Sequence, residues 1–421
     1  MLETLKNAWK IPDLRKKILY TLGMLLLYRF LCFIPTPGVD TASIAASVKG
    51  IPLLNYMSVM TGSNLSQFTI MAMGITPYIN ASIIMQLLCV AIPALEELNK
   101  SGDEGRKKIA QITRYVTVGL GFVQAIALTV GMKGSATPGF FSYVTIGFCL
   151  AAGTALAMWI GERITEKGIG NGISLLIFAG IISNLSVAVA NGIVNFVNNI
   201  IAGQILSVLG AIAILVISLV LIVGVVLVDM SERRIPIQYA KRMVGRRMYG
   251  GQSTHIPLRL NSSGVLPLIF ASSIMQFPAT ILAFISQKGY AWWNSNVSPT
   301  GFWYNLIFAA LILGFTFFYN SISFNPVDMS KNIQQNGGMI PGIRQGKPTT
   351  EFITKINRRI TLFGAFFLAF LALLPSIMFA VAEVSLPFAA SSLLIAVSVA
   401  VETMRQLESQ MLMRHYKGFL K

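Results

Sequence analysis

Few residues in this chain have side chains that can attack a bond, hold a metal or move a proton, and they are poorly placed for one another. Its 421 residues include two histidines, His255 and His415, three cysteines, Cys32, Cys89 and Cys149, and sixteen Asp or Glu. No HExxH, GxSxG or P-loop spacing connects them. The cysteines lie in apolar sequence without metal or redox spacing and read as small core residues. The acids fall in loops or at the ends of apolar runs, so no carboxylate sits at membrane depth to relay a proton or bind Na+, as ion-coupled transporters usually require. The expectation is a protein with no catalytic residue, metal or cofactor, and not an enzyme.

The informative residues are small or polar ones set inside apolar sequence. "GITPYINASII" (74–84) heads an apolar run yet carries Pro77, Asn80 and Ser82, and it has a gap-free partner in "GVLPLIFASSI" (264–274). The two share Gly74/Gly264, Pro77/Pro267, Ile79/Ile269, Ala81/Ala271, Ser82/Ser272 and Ile84/Ile274. A weaker pair, "ISLLI" (173–177) and "SSLLI" (391–395), matches Ser174/Ser392 and Ile177/Ile395. Ala81, Ser82, Ala271, Ser272 and Ser273 permit close helix approach, while Asn80, Gln86 and Gln276 add polarity that lipid-facing helices lack. The reading is either tight packing or a seam that opens to a polar guest. Ile79, Ile269, Ile177 and Ile395 come one from each repeated segment, with Ile75 and Ile173 one turn away. They are either ordinary core or a shared apolar constriction that blocks ions by dewetting.

The elements that must position these residues follow from hydropathy. The chain is 54% hydrophobic and 12% charged, a polytopic membrane composition. Runs long enough to cross about 30 Å of hydrocarbon lie near 18–35, 75–93, 109–131, 140–160, 172–190, 204–228, 264–286, 303–322, 360–380 and 386–404. The opening "MLETLKNAWKIPDLRKKILY" is a charged amphipathic stretch without the short apolar core of a cleavable signal. Net charge is +17, and 29 of the 33 Lys and Arg fall on the N-terminal side of the runs, against Lys49, Lys133 and Lys288 on the other and Arg29 inside the first. Both termini are therefore expected in the cytoplasm. The repeated segments lie five runs apart, and an odd offset reverses direction, so the halves are predicted to be inverted five-helix repeats with the working path between them. The piece 36–74 is too polar to cross and too apolar for a plain loop, and is read as a re-entrant element or as a loop on the outer surface.

Two connections are long and basic. From Asp229 to Arg259 there are seven Arg or Lys against two acids, and from Asp328 to Arg359 six against two. Arg242, Arg246 and Arg247 lie in a strand-like or turn-rich excursion, and Arg344 follows the turn signal "GGMIPGI". Arginine so presented suits bidentate contact with phosphate or carboxylate, pointing to ribosomal RNA or an acidic protein. The alternative is that these charges only fix topology and touch anionic lipid.

Taken in order, "GITPYINASIIMQLL", "GERITEKGIGNGISLLIFAGI", "YAKRMVGRRMYGGQSTHIPLRLNSSGVLPLIFASSI", "NPVDMSKNIQQNGGMIPGIRQGKPT" and "ETMRQLESQMLMRHYKGFLK" are similar to the motifs of the SecY family, channel subunits of the bacterial protein-translocation complex. The resemblance covers essentially the whole chain. It implies an all-α polytopic fold of ten transmembrane helices in two inverted five-helix halves, a clamshell with a re-entrant plug, in the bacterial plasma membrane. The halves would be 18–190 and 191–404, between a cytoplasmic N-terminus (1–17) and tail (405–421). The pore ring would be Ile75, Ile79, Ile173, Ile177, Ile269 and Ile395. The plug would fall near 64–73, with Asn64, Leu65, Ser66, Gln67, Phe68, Thr69 and Ile70. A lateral gate would carry Asn80, Ser82, Gln86, Ser272, Ser273 and Gln276. Lys241, Arg242, Arg246, Arg247, Arg344, Arg358 and Arg359 would meet the ribosome or the SecA ATPase, with SecE and SecG as further partners beside signal sequences, nascent chains and anionic lipid. Two departures stand out: "PFAASSLLI" where the family has a glycine-rich start, and Gln345 where Pro is common.

Overall fold

In a computed structural model of the chain, the described residues are 6, 8–39, 67–131, 140–201, 205–239, 242–244, 247–249, 253–261, 264–285, 287–297, 301–382 and 390–418. Each of the ten apolar runs falls on a helix. The first half contributes α1 (Pro12–Leu31), α2 (Thr76–Ala91), α4 (Asp103–Gly131), α5 (Phe140–Lys167) and α6 (Gly172–Ile201). The second contributes α7 (Ile205–Met230), α8 (Leu266–Ile285), α10 (Phe302–Ser323), α12 (Lys347–Ala382) and α13 (Ala390–Gly418). Shorter helices α3 (Pro93–Lys100), α9 (Gln287–Asn296) and α11 (Pro326–Gln335) lie between them. Six helices among the described residues (α4, α5, α6, α7, α10 and α12) are long and apolar enough to cross a membrane, and α2 with α3 makes a seventh bent by 102°. The bend falls at Pro93, whose ring bars the helical conformation at Ile92.

Burial separates inner from outer helices. Of the apolar window of α5, 56% is buried, against 6% for α7, whose Leu215, Val216, Leu219, Val220 and Val223 are exposed as a lipid-facing wall must be. Within the first half α4 packs on α2 and α5, and α1 on α5 and α6; within the second, α10 packs on α8 and α12, and α13 on α7 and α12. Among the described residues, two seams of packed helices join the halves. On one side α8 lies against α2 and α4, and on the other α6 lies against α7 and α13. That pairing gives the two-leaved architecture, with the chain crossing from leaf to leaf at the second seam.

The two basic connections build one unit. The first is an antiparallel hairpin of β1 (Glu232–Tyr239) and β4 (Ser253–Arg259), in register from Glu232 opposite Arg259 to Gln238 opposite Ser253. Beyond it lies a smaller hairpin of β2 (Arg242–Val244) and β3 (Arg247–Tyr249). The second connection adds β5 (Gly338–Met339) to the free edge of β1. Under this sheet Ile235, Ile237 and Leu258 share a core with Ile333, Ile340 and Ile353 of the other connection. Burial of this kind stabilises by about 1.5–3 kcal/mol per aliphatic side chain, so each loop's shape depends on the other.

The chain's ends are also joined. Ala8, Leu14 and Ile169 pack with Leu407 of α13, and Lys17 Nζ donates to Gln410 Oε1 at 3.4 Å. Thr21 Oγ1 accepts from the Ile169 amide at 3.0 Å, holding the α5–α6 turn against α1.

Candidate functional site

The repeated segments start their helices alike. Gly74 and Gly264 both have positive φ, 53° and 60°, the left-handed region that glycine enters without steric cost. Three residues on, Pro77 and Pro267 occupy the second position of α2 and α8, where a missing N–H leaves no ladder bond unmade. The Ile79 amide donates to the Ile75 carbonyl at 3.1 Å and the Ile269 amide to the Val265 carbonyl at 3.2 Å. The tight turn followed by proline thus puts Ile79 and Ile269 at the same point of the first turn in each half.

All six isoleucines come together. Ile75 and Ile395 are buried, and Ile79, Ile173, Ile177 and Ile269 pack against the same cluster, which also takes Tyr28 from α1 and Ile160 and Ile164 from α5. Five of them line a narrow cavity of about 60 Å³ with Tyr28, Leu176, Leu268, Ser272 and Ser273. Ile173 faces instead an open pocket of about 530 Å³ with Tyr78, Trp159, Arg114 and Glu162. In that pocket Arg114 Nε donates to Glu162 Oε1 at 2.8 Å, and the Arg163 guanidinium lies 5.7 Å from the Trp159 ring centre. Tyr28 and the Arg114–Glu162 pair were not foreseen. Tyr28 has no feature that separates it from other aromatic residues in spans, but Arg114 was visible as a charge inside the run 109–131.

Residues 67–75 form neither a helix nor an exposed loop. They run as consecutive turns, with the Ala72 amide donating to the Thr69 carbonyl at 2.8 Å and the Gly74 amide to the Met71 carbonyl at 2.9 Å. The segment is clasped to the end of α1: the Thr36 amide donates to the Phe68 carbonyl at 3.1 Å and the Ile70 amide to the Ile34 carbonyl at 2.9 Å. Phe68, Thr69, Met71, Ala72 and Met73 are buried. Phe68, Ala72 and Met73 pack on Ala125 of α4 and on Ile146 and Leu150 of α5. Phe68, with φ 46°, is the non-glycine residue at positive φ among the described residues, a strained conformation costing ~1–3 kcal/mol. Across from it α5 presents Gly153, where a Cβ atom would stand 2.0 Å from the Ile70 carbonyl oxygen. Of the seven plug candidates, Asn64, Leu65 and Ser66 lie outside the described residues, Gln67 is exposed, and Phe68, Thr69 and Ile70 are on this clasped segment.

On α2, which meets α8 at the first seam, Asn80 is buried and its Oδ1 has no hydrogen-bond partner among the described residues. Ser273 is also buried, Ser82 and Ser272 are half-buried, and Gln86 is exposed. Ser272 Oγ donates back to the Ile269 carbonyl at 2.8 Å. Gln276 is in α8, and its side chain lies outside the described residues. A buried amide oxygen left unpaired costs about 1–3 kcal/mol and is a ready acceptor for a polar guest.

The basic candidates separate into three places. Lys241 and Arg246 lie outside the described residues, while Arg242 and Arg247 begin β2 and β3. Arg344 is exposed on a turn held by three side-chain bonds. Gln345 Nε2 donates to the Gly338 carbonyl at 2.9 Å, Ser330 Oγ to the Gly346 carbonyl at 3.0 Å and Thr349 Oγ1 to the Arg344 carbonyl at 2.8 Å. Gln345 therefore ties the turn to β5 where a proline would have stiffened it. Replacing Gln345 by alanine removes about 1 kcal/mol of that restraint; hydrogen exchange of amides 338–346 should speed up about fivefold, with the β1–β4 amides unchanged. Arg358 and Arg359 lie elsewhere, on the exposed flank of α12.

A family model described as SecY matches residues 69–404. The Protein translocase subunit SecY of Halalkalibacterium halodurans is 43% identical over 442 residues, covering 100% of both chains. That of Corynebacterium glutamicum is 40% identical over 445 residues, covering 99% of each. A solved structure of a protein conducting channel superposes with a TM-score of 0.69 at 20% identity, over 94% of this chain and 93% of that one. Sec61 in the canine ribosome-channel complex from the endoplasmic reticulum gives 0.65 at 18%, over 94% and 93%.

Proposed function

The chain belongs to the SecY family, and from that premise we infer that it is the pore-forming subunit of a protein-translocation channel, working as a passive gated conduit for unfolded polypeptide. The observation that carries the mechanism is the meeting of six isoleucines from both halves in one apolar cluster, five of them lining one narrow cavity. Ile75, Ile79, Ile173, Ile177, Ile269 and Ile395 act as an apolar ring that closes without any polar bond to break. Residues 64–73 act as the plug beside it, leaving when the clasp to Ile34 and Thr36 opens. The seam of α8 with α2 and α4 is the lateral gate, in which Asn80, Ser82, Gln86, Ser272, Ser273 and Gln276 meet the guest chain.

A signal sequence wedges into that seam, hydrophilic chain then passes the ring, and apolar segments leave sideways into lipid. Partitioning decides the exit: a central Leu or Ile gains roughly 0.3–0.6 kcal/mol, and one Lys or Asp costs about 2.5–3.5. The excess of basic residues in alternate connections supports a bacterial plasma-membrane protein with both termini cytoplasmic. The basic two-loop unit, with Arg242, Arg247 and Arg344, is the docking surface for the ribosome or the SecA ATPase. SecE and SecG complete the complex.

Vesicles containing the complex should protect a preprotein from protease when SecA and ATP are supplied. A disulfide between Asn80→Cys and Ser272→Cys should abolish that protection, and reduction should restore it. Full translocation with the bond formed would refute the seam. Solute accumulation without preprotein protection would overturn the channel itself.

A further inference from the structure

We propose that the flank of α12 holds a built site for one anionic phospholipid, with its phosphate at Lys355, Arg358 and Arg359. This goes beyond the channel reading and removes Arg358 and Arg359 from the ribosome-contacting set. The site is a groove of about 560 Å³ lined by Phe317 of α10 and by Thr350, Glu351, Thr354, Lys355, Arg358, Arg359 and Leu362 of α12. It lies where α12 changes character. Beyond it Leu362, Phe366 and Phe370, each four residues on from the last, are exposed on one apolar stripe. Before it the exposed positions of α12 are polar apart from Pro348.

The order of groups along the helix matches the order of groups along a lipid. At ~1.5 Å per residue, the cations lie about 5–10 Å from Leu362, and Glu351 another ~6–12 Å further from the membrane. Acyl chains follow the Leu362–Phe366–Phe370 stripe, the phosphate meets the three cations, and the headgroup's end reaches Glu351. None of the three cations pairs with an acid among the described residues. The hydroxyls of Thr350 and Thr354 already donate to the Gly346 and Thr350 carbonyls, at 3.3 and 2.8 Å, so the cations carry the contact. Three positive charges against one acid select a net negative lipid, and Glu351 favours a headgroup whose hydroxyls donate to it. Phosphatidylglycerol has both properties. The apolar floor of Phe317 and Leu362 speaks against RNA here.

Retention of phosphatidylglycerol by the purified full-length protein, read by native mass spectrometry, tests the proposal. The triple change Lys355→Gln, Arg358→Gln and Arg359→Gln should weaken retention about a hundredfold. Leu362→Glu, at an exposed position that leaves the core intact, should weaken it as well, while Arg233→Gln with Arg234→Gln on β1 should not. Retention unchanged by the triple variant, or equal retention of phosphatidylcholine or phosphatidylethanolamine by the native protein, overturns the site. Competition by sn-glycerol 3-phosphate as strong as by the lipid would indicate a free-phosphate site and overturn the lipid assignment. Loss of ribosome binding with lipid retention intact would return these arginines to RNA.

Discussion

Replacing Gly153 by alanine is expected to give a channel that leaks ions at rest and accepts preproteins with damaged signal sequences. By helix propensity alone the change should stabilise α5 by up to ~1 kcal/mol. Packing reverses the sign. The new methyl would stand 2.0 Å from the Ile70 carbonyl oxygen and 2.8 Å from its carbon, main-chain atoms that cannot swing aside. Overpacking of this kind costs roughly 1–3 kcal/mol, and the relief available is for Ile70 to move away from α5. Its amide is bonded to Ile34 at 2.9 Å, so that movement strains the clasp holding the proposed plug. A loss of ~1–3 kcal/mol multiplies the unseated population by about 5 to 150. Gly147→Ala on the same helix is the control: its Cβ would meet Ile126 and the Phe122 ring at 3.1 Å, side chains that can turn. Single-channel conductance should rise for Gly153→Ala and stay near wild type for Gly147→Ala; equal behaviour would make the effect general packing.

The second large effect is at the ring. Ile79→Asn together with Ile269→Asn puts an amide from each half beside the cavity of about 60 Å³. Dry apolar walls exclude ions because water does not fill them, and amides supply the hydrogen bonds that keep water in place. Lowering the entry barrier by only ~1.4 kcal/mol raises permeation about tenfold, so planar-bilayer recordings should show standing conductance without any guest chain. Both residues are only partly buried, and the helix starts are set by Gly74, Pro77, Gly264 and Pro267, so the fold should survive. Unchanged conductance would mean that these isoleucines are ordinary core.

Much of this was legible in the sequence, for identifiable reasons. Ten apolar runs mapped onto helices because a bilayer sets a minimum length that chance seldom meets. The duplicate helix starts were visible because glycine and proline are each required there by the backbone. What could not be read was contact between distant segments. Gly153 looks like any small residue of a packed helix until the carbonyl of Ile70 is found against it. Ile333, Ile340 and Ile353 follow no strand or helix period together, and β5 has two residues, so nothing announced that the second basic connection would complete the first one's sheet. The Arg114–Glu162 pair escaped because nothing in the sequence ties Arg114, inside one apolar run, to Glu162 at the end of the next. Phe68 at positive φ has no sequence signal, since turn chemistry there favours Gly, Asn or Asp.

The union of the chain's ends bears on how it is made. Lys17 bonds Gln410 across 393 positions, and Leu14 shares its core with Leu407. At ~5–20 residues per second, the ribosome synthesises the first of these residues roughly 20–80 s before the second. For that interval the face bearing Leu14 and Ile18 lacks Leu407 and Met411 and, once residue 169 is made, has Ile169 as its partner from outside the N-terminal segment. The first half can insert and assemble early, with α1 held on α5 and α6, but the start of that opening helix is covered from the far side only as the last helix arrives.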